Sequence, residues 1–131
     1  MTFSTKININ IYIVHFTIYF LRYQDVPQVR ITLGANIDKD EIREGTDVYF
    51  ECIVGANPWV SEINCMFEGS PLFSDPSQGI IISNQSLVLQ KVRRQSRGQY
   101  WCSAFNSQGQ GDSEEFFLKV LCKLSFADRF K

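Results

Sequence analysis

Cys52 and Cys102 constrain this chain more than any other residues, because each falls on the apolar side of a stretch that alternates with period two. Val48, Phe50, Cys52 and Val54 alternate with Tyr49, Glu51 and Ile53, while Tyr100, Cys102 and Ala104 alternate with Trp101 and Ser103. That period marks a strand with one face turned inward. Two inward cysteines on facing strands can bridge a pair of sheets stacked about 10 Å apart, since both side chains reach toward the middle. Tyr100 shares the inward face two residues before Cys102, and Gly98 supplies backbone freedom for a tight turn just ahead of it.

Turn signals and short alternating runs recur along the middle of the chain. Val29, Ile31 and Leu33 form one inward set, and Ile63, Cys65 and Phe67 form another that ends at the Glu68-Gly69 turn. Ile80 to Ile82 and Leu87 with Leu89 flank a Ser83 to Gln85 turn as a hairpin, and Phe116, Leu118 and Val120 make the last inward set. The polar stretches Gly34 to Gly45, Arg93 to Gly98 and Asn106 to Gly111 read as loops, and no segment shows a helical period. Such a series of short strands predicts an all-β antiparallel sandwich. With 131 residues there is room for one core, and 44% hydrophobic with 21% charged residues is a globular balance.

The ends differ from this middle. Residues 1–25 are expected to form an N-terminal extension: a weak secretory signal with Lys6 ahead of an apolar run, a stray edge strand on the Ile7, Ile9, Ile11 alternation, or an unstructured start. The run Ile11 to Leu21 is about half of the roughly 20 residues a membrane helix needs, so no transmembrane helix is expected. The domain is placed at residues 26–120 and a loose tail at 121–131, which includes Cys122.

Cys52, Cys102 and a tyrosine-corner residue at Tyr100 match the immunoglobulin-like sandwich, in which a disulfide joins the sheets. Closing a loop of this length contributes about 4 kcal/mol in the chain-entropy account. Too few residues separate Phe67 from Leu87 for the extra strand pair of a variable-type domain, so an intermediate or constant-like set is expected. More specific strings are Leu33-Gly34-Ala35-Asn36-Ile37, Glu44-Gly45 leading into Asp47-Val48-Tyr49-Phe50-Glu51-Cys52, Asn57-Pro58, and Ile81-Ile82-Ser83-Asn84-Gln85-Ser86-Leu87-Val88-Leu89-Gln90. On these the chain resembles an extracellular module of the insect sidestep family of neuronal cell-surface proteins. The resemblance implies one module of a membrane-anchored receptor at the cell surface. It also implies a partner among other immunoglobulin-type receptors, the beaten-path proteins, in axon guidance.

One position departs from the pattern. The strand that follows the first bridge cysteine ordinarily carries a tryptophan packed on the disulfide, and here that place holds Cys65. Replacing a buried indole by a small side chain costs about 3 to 5 kcal/mol unless neighbours move in. Phe50, Phe67 or Trp59 is expected to encroach, or the module to be only marginally stable. Cys65 could also exchange with the bridge or pair with Cys122, although two free thiols fit the strand positions better. Ser96 replaces the acid that many such domains carry before the glycine, which puts one turn hydrogen bond in question.

Asn84-Gln85-Ser86 is the one Asn-x-Ser/Thr sequon and falls in a surface turn, making Asn84 a glycosylation candidate in a secreted chain. Trp101 faces outward and is the candidate anchor for a partner, its bland alternative being a side chain covered by neighbours. Lys91, Arg93, Arg94 and Arg97 form a basic cluster that reads first as a solvated loop and otherwise as a contact for anionic glycans or an acidic partner. Asp112, Glu114 and Glu115 lack the spaced oxygen ligands of a calcium loop and read as charged edge protection, so no metal and no cofactor are expected. A net charge of −1 argues against nucleic acid, and a single histidine, His15, supplies acid-base chemistry poorly. A redox or metal role for Cys65 and Cys122 has no Cys-x-x-Cys motif behind it. The expected role is a non-enzymatic recognition module, with a spacer lacking its own ligand as the alternative.

Overall fold

The computed structural model describes residues 11–18 and 23–122. Among the described residues nine strands build two antiparallel sheets: β1 Asp25–Leu33, β2 Val48–Asn57, β3 Glu62–Phe67, β4 Ser70–Pro71, β5 Ile80–Ser83, β6 Ser86–Leu89, β7 Gly98–Asn106, β8 Gly109–Asp112 and β9 Phe116–Leu118. The first sheet runs β1-β2-β6-β5; the second runs β4-β3-β7-β8, with β9 on the same edge of β7. A constant-type sandwich would have three strands in the second sheet and a variable-type one two more. Here β4 adds one short edge strand, the intermediate condition.

Alternation determines what is buried. Val48, Phe50 and Cys52 of β2 meet Tyr100, Cys102 and Ala104 of β7 in the core, with Val29, Ile31, Leu87, Leu89 and Leu118 around them. Cys52 and Cys102 are bonded, with Cα atoms 6.0 Å apart and 50 positions apart in sequence. Two stretches read as loops contribute more than turns. Ile42, inside the polar run after Gly34, is 1% exposed. Its carbonyl accepts the Leu121 N–H at 2.7 Å, and the Leu121 carbonyl accepts the Glu44 N–H at 3.0 Å. This parallel bridge continues the last edge past Val120. Ile37 and Ile42, five positions apart in this polar run, fit no period of two, so alternation could not reveal them.

The Asn106 to Gly111 stretch turns only at Ser107 and Gln108, then pairs back along β7 as β8, with Asn106 opposite Gly109 and Ser103 opposite Asp112. Glycine is needed at Gly111 because a Cβ there would collide with the Pro27 carbonyl of β1. Between β8 and β9 the ladder breaks, and buried Ser113 fills the gap: its N–H donates to the Cys102 carbonyl at 2.8 Å and its hydroxyl accepts the Cys102 N–H at 2.9 Å.

The expectation that no segment is helical is corrected at residues 11–18, which form a helix. Ile11 there is helical rather than part of an edge strand; Ile7 and Ile9 lie outside the described residues, as does the tail from 123 onward. The run is apolar at nearly every position, so neither period stands out, and a helix satisfies its backbone hydrogen bonds within the segment. Its large side chains, from Ile11 to Ile18, are exposed. Among the described residues no helix is long and apolar enough to cross a membrane.

Candidate recognition surface

The core beneath the second sheet is organised around Tyr100. Its ring stacks between Phe67 and Phe50, with centroids 4.7 Å and 5.3 Å away, and Phe116 meets the far partner edge-on, 5.2 Å from the Phe50 centroid. The Tyr100 hydroxyl donates to the Ser96 carbonyl at 2.6 Å, closing the turn that enters β7. Burial, and after it the carboxylate of Glu68, pushes the phenol above its ordinary range. Gly98 has φ of 152°, and a Cβ there would strike the Phe67 ring and the Glu68 carboxylate. Glu68 Oε1 instead accepts the Gln99 N–H at 2.7 Å. The turn bond questioned at Ser96 is made by its own hydroxyl, which accepts the Arg93 N–H at 3.0 Å.

Cys65 lies directly opposite Cys102 in the β3–β7 pairing, buried and unbonded. Loss of solvent pushes its thiol up to about 11. The thiol is therefore neutral at physiological pH and a poor nucleophile. Of the residues expected to encroach, Phe50 and Phe67 stack on the two faces of Tyr100; Trp59 stays outside the core. It stands 80% exposed after Pro58, in the loop between β2 and β3. Asn106 holds that loop in place, its side-chain amide donating to the Pro58 carbonyl at 3.1 Å and the Asp25 carbonyl at 2.7 Å. Trp59 lies six positions before the core position, outside the sandwich altogether, and alternation carries no information about loop tips.

On the outer face of the second sheet, β-pairing lines up Pro71, Met66 and Trp101 in one row across β4, β3 and β7. Met66 and Trp101 are half-buried. Gln99 pairs with Phe117, which is 45% exposed and has the Arg97 guanidinium 5.4 Å above its ring centroid. Polar groups border this strip. Asp112 Oδ1 accepts from the Ser103 hydroxyl at 2.6 Å and from the Gln110 amide at 2.8 Å, while Glu62 pairs with Phe105 farther along. An apolar strip with a hydrogen-bonded polar border is the usual build of a protein-binding face.

The basic cluster, by contrast, is dispersed. Arg94 pairs with Glu44 at 3.3 Å near Cys122, Arg97 lies on the second sheet over Phe117, and Lys91 and Arg93 line an open groove beside Glu44 and Asp47. Its charges do not form one cationic surface. Asn84 sits exposed in the β5–β6 turn. Among the described residues no three His, Cys, Asp or Glu side chains are grouped to hold a metal ion. Cys122 is half-buried and unbonded.

Comparison with known proteins agrees with this architecture. The family model described as immunoglobulin domain matches residues 28–106. Hemicentin-1 of Homo sapiens is 35% identical over 80 residues, 60% of this chain but 1% of its own length. The chain thus spans a very small part of that relative. Among solved structures, the tandem Ig repeats of Dlar superpose with a TM-score of 0.55 at 25% identity, covering 63% of this chain and 43% of that one. The ectodomain of mouse nectin-like molecule 4 superposes with a TM-score of 0.60 at 23% identity, covering 73% and 30%. Domains of this type are generally non-enzymatic and typical of extracellular multi-domain proteins. With its bridged sandwich, tyrosine corner and family match, the chain belongs to the immunoglobulin domain family.

Proposed function

We propose that this domain is an extracellular recognition module of a membrane-anchored cell-surface protein, and that it binds another immunoglobulin-type receptor through the outer face of its second sheet. The observation that carries the reading is the row Pro71, Met66, Trp101 with Phe117 near it, an apolar strip on the outer face of a hydrogen-bonded sheet. Tryptophan concentrates binding energy because it buries a large rigid surface at little entropic cost, and a half-covered indole is already held in place before a partner arrives. The resemblance of its short strings to the sidestep family favours a partner of the beaten-path type and a role in axon guidance.

The test is binding of the secreted domain, and of its Trp101→Ala form, to a panel of beaten-path ectodomains by surface plasmon resonance. The expected result is saturable binding to at least one member, weakened roughly tenfold or more by the substitution, the loss typical of a central interface aromatic. If the unmutated domain binds none of them, the domain is a spacer instead.

A further inference from the structure

We infer that Asn84 carries an N-linked oligosaccharide whose first N-acetylglucosamine seats in the hollow formed by Val60, Ile63 and Ile82. The inference rests on the extracellular reading above. Asn84-Gln85-Ser86 is the one sequon in the chain, and the structure places it at a two-residue turn between β5 and β6. Asn84 is exposed and has φ of 45°, a left-handed conformation that asparagine tolerates well. The turn is fixed to the scaffold: the Gln85 carbonyl accepts the N–H of Cys52, the bridge cysteine, at 2.7 Å. One residue later, the Ser86 hydroxyl is 3.0 Å from that of Tyr49. An attached sugar would therefore leave the domain from a rigid point.

Next to that point is an open hollow of about 480 Å³ at the seam between the sheets. Ile63 comes from β3 of one sheet, Ile82 from β5 of the other, and Val60 from the loop before β3; all three are half-buried and packed against the core. Ser61, Glu62 and Gln85 make its polar rim. An N-acetylhexosamine has the matching chemistry, an apolar ring face and acetyl methyl for the floor and hydroxyls for the rim. Covering the three side chains removes apolar surface from water. The donor is a lipid-diphosphate-linked oligosaccharide. The Asn84 amide nitrogen bonds to C1 of its first sugar, the C1–O bond to diphosphate breaks, the lipid diphosphate leaves, and one amide proton is released; no electrons change hands.

The experiment expresses the full chain behind an added cleavable export leader in insect cells. Secreted wild type should carry one oligosaccharide by intact mass, Asn84→Gln none, and Ser86→Thr, which keeps the sequon, one. Exported material that is bridged at Cys52–Cys102 yet sugar-free overturns the site, as does sugar on Asn84→Gln. Exported material without the bridge overturns the extracellular reading beneath it. To test the seating, an endoglycosidase trims the glycan to its first sugar and an amidase removes it completely. Trimming should leave Tm unchanged, whereas complete removal should lower it by about 4 °C, a shift well within range for a domain of this size. Equal Tm in the trimmed and fully deglycosylated forms overturns the seating.

Discussion

Removing the Cys52–Cys102 bridge should cost this domain a large part of its stability, and the separation of the two residues gives the size. They lie 50 positions apart in sequence, and closing such a loop removes about 4 kcal/mol worth of chain entropy from the unfolded state at 25 °C. A domain of this class has about 5 to 15 kcal/mol in all. Both cysteines are almost fully buried, so reductant reaches the bridge only through unfolding. The comparison is therefore made by unfolding in urea and refolding with and without reductant, following Trp fluorescence and far-UV circular dichroism. A Cys65→Val background keeps the thiol opposite Cys102 from forming a competing bridge. With an m-value of about 1.5 kcal/mol/M, the urea midpoint should fall by roughly 2.7 M on reduction. A fall under about 0.7 M would refute the reasoning, because it would mean that the unfolded chain was already as restricted as the bridge makes it.

Two further outcomes follow from the core. Tyr100→Phe keeps the stacked ring and removes only the hydroxyl that donates to Ser96, leaving that carbonyl short of one partner; urea unfolding should show a loss of about 1 to 2 kcal/mol, and no loss would show the turn to be held by other contacts. Stability should also fall in alkali. Burial raises the Cys65 thiol from 9.0 to about 11, so the folded state holds its proton after the unfolded state has released it. The contribution is complete below pH 9 and lost by pH 11, on the order of 2 to 3 kcal/mol. Cys65→Val should flatten that part of the urea-midpoint profile, while parallel profiles for the two proteins would sink the assignment. The raised Tyr100 phenol adds a fall above its ordinary value of 10.0 that both proteins share.

Much of this fold was legible because its strands are buried on one face, which writes a period of two directly into Val48 to Val54 and Tyr100 to Ala104. The bridge and the tyrosine corner followed from the same alternation. What stayed hidden has no period. Ile42 is a core residue in an acidic loop with no period of two, and the pairing of Leu121 with Ile42 and Glu44 uses backbone groups that any residue supplies. Helix 11–18 is too uniformly apolar to show a period, and Trp59 projects from a loop whose position is set by the distant Asn106. The recognition strip lay between these cases: alternation turned Trp101 outward, but only the strand register put Met66 and Pro71 beside it.

The cysteine in the place of the core tryptophan changes where the sandwich is held together. An indole on β3 would lie against the bridge, but Cys65 brings only a small neutral thiol to that position, opposite Cys102. The aromatic mass sits instead one inward pair away, where Phe67 lies opposite Tyr100 and Phe50 closes on its other face. Stacked rings at these separations contribute beyond the area they bury. Tyr100 thereby joins two roles: it links β2 of one sheet to β3 of the other through its two ring faces, and closes the Ser96 turn through its hydroxyl. The bridge limits the unfolded chain while Tyr100 stabilises the folded one, so the two act on opposite sides of the equilibrium, and their losses should add with only weak coupling although the residues lie two apart on one strand.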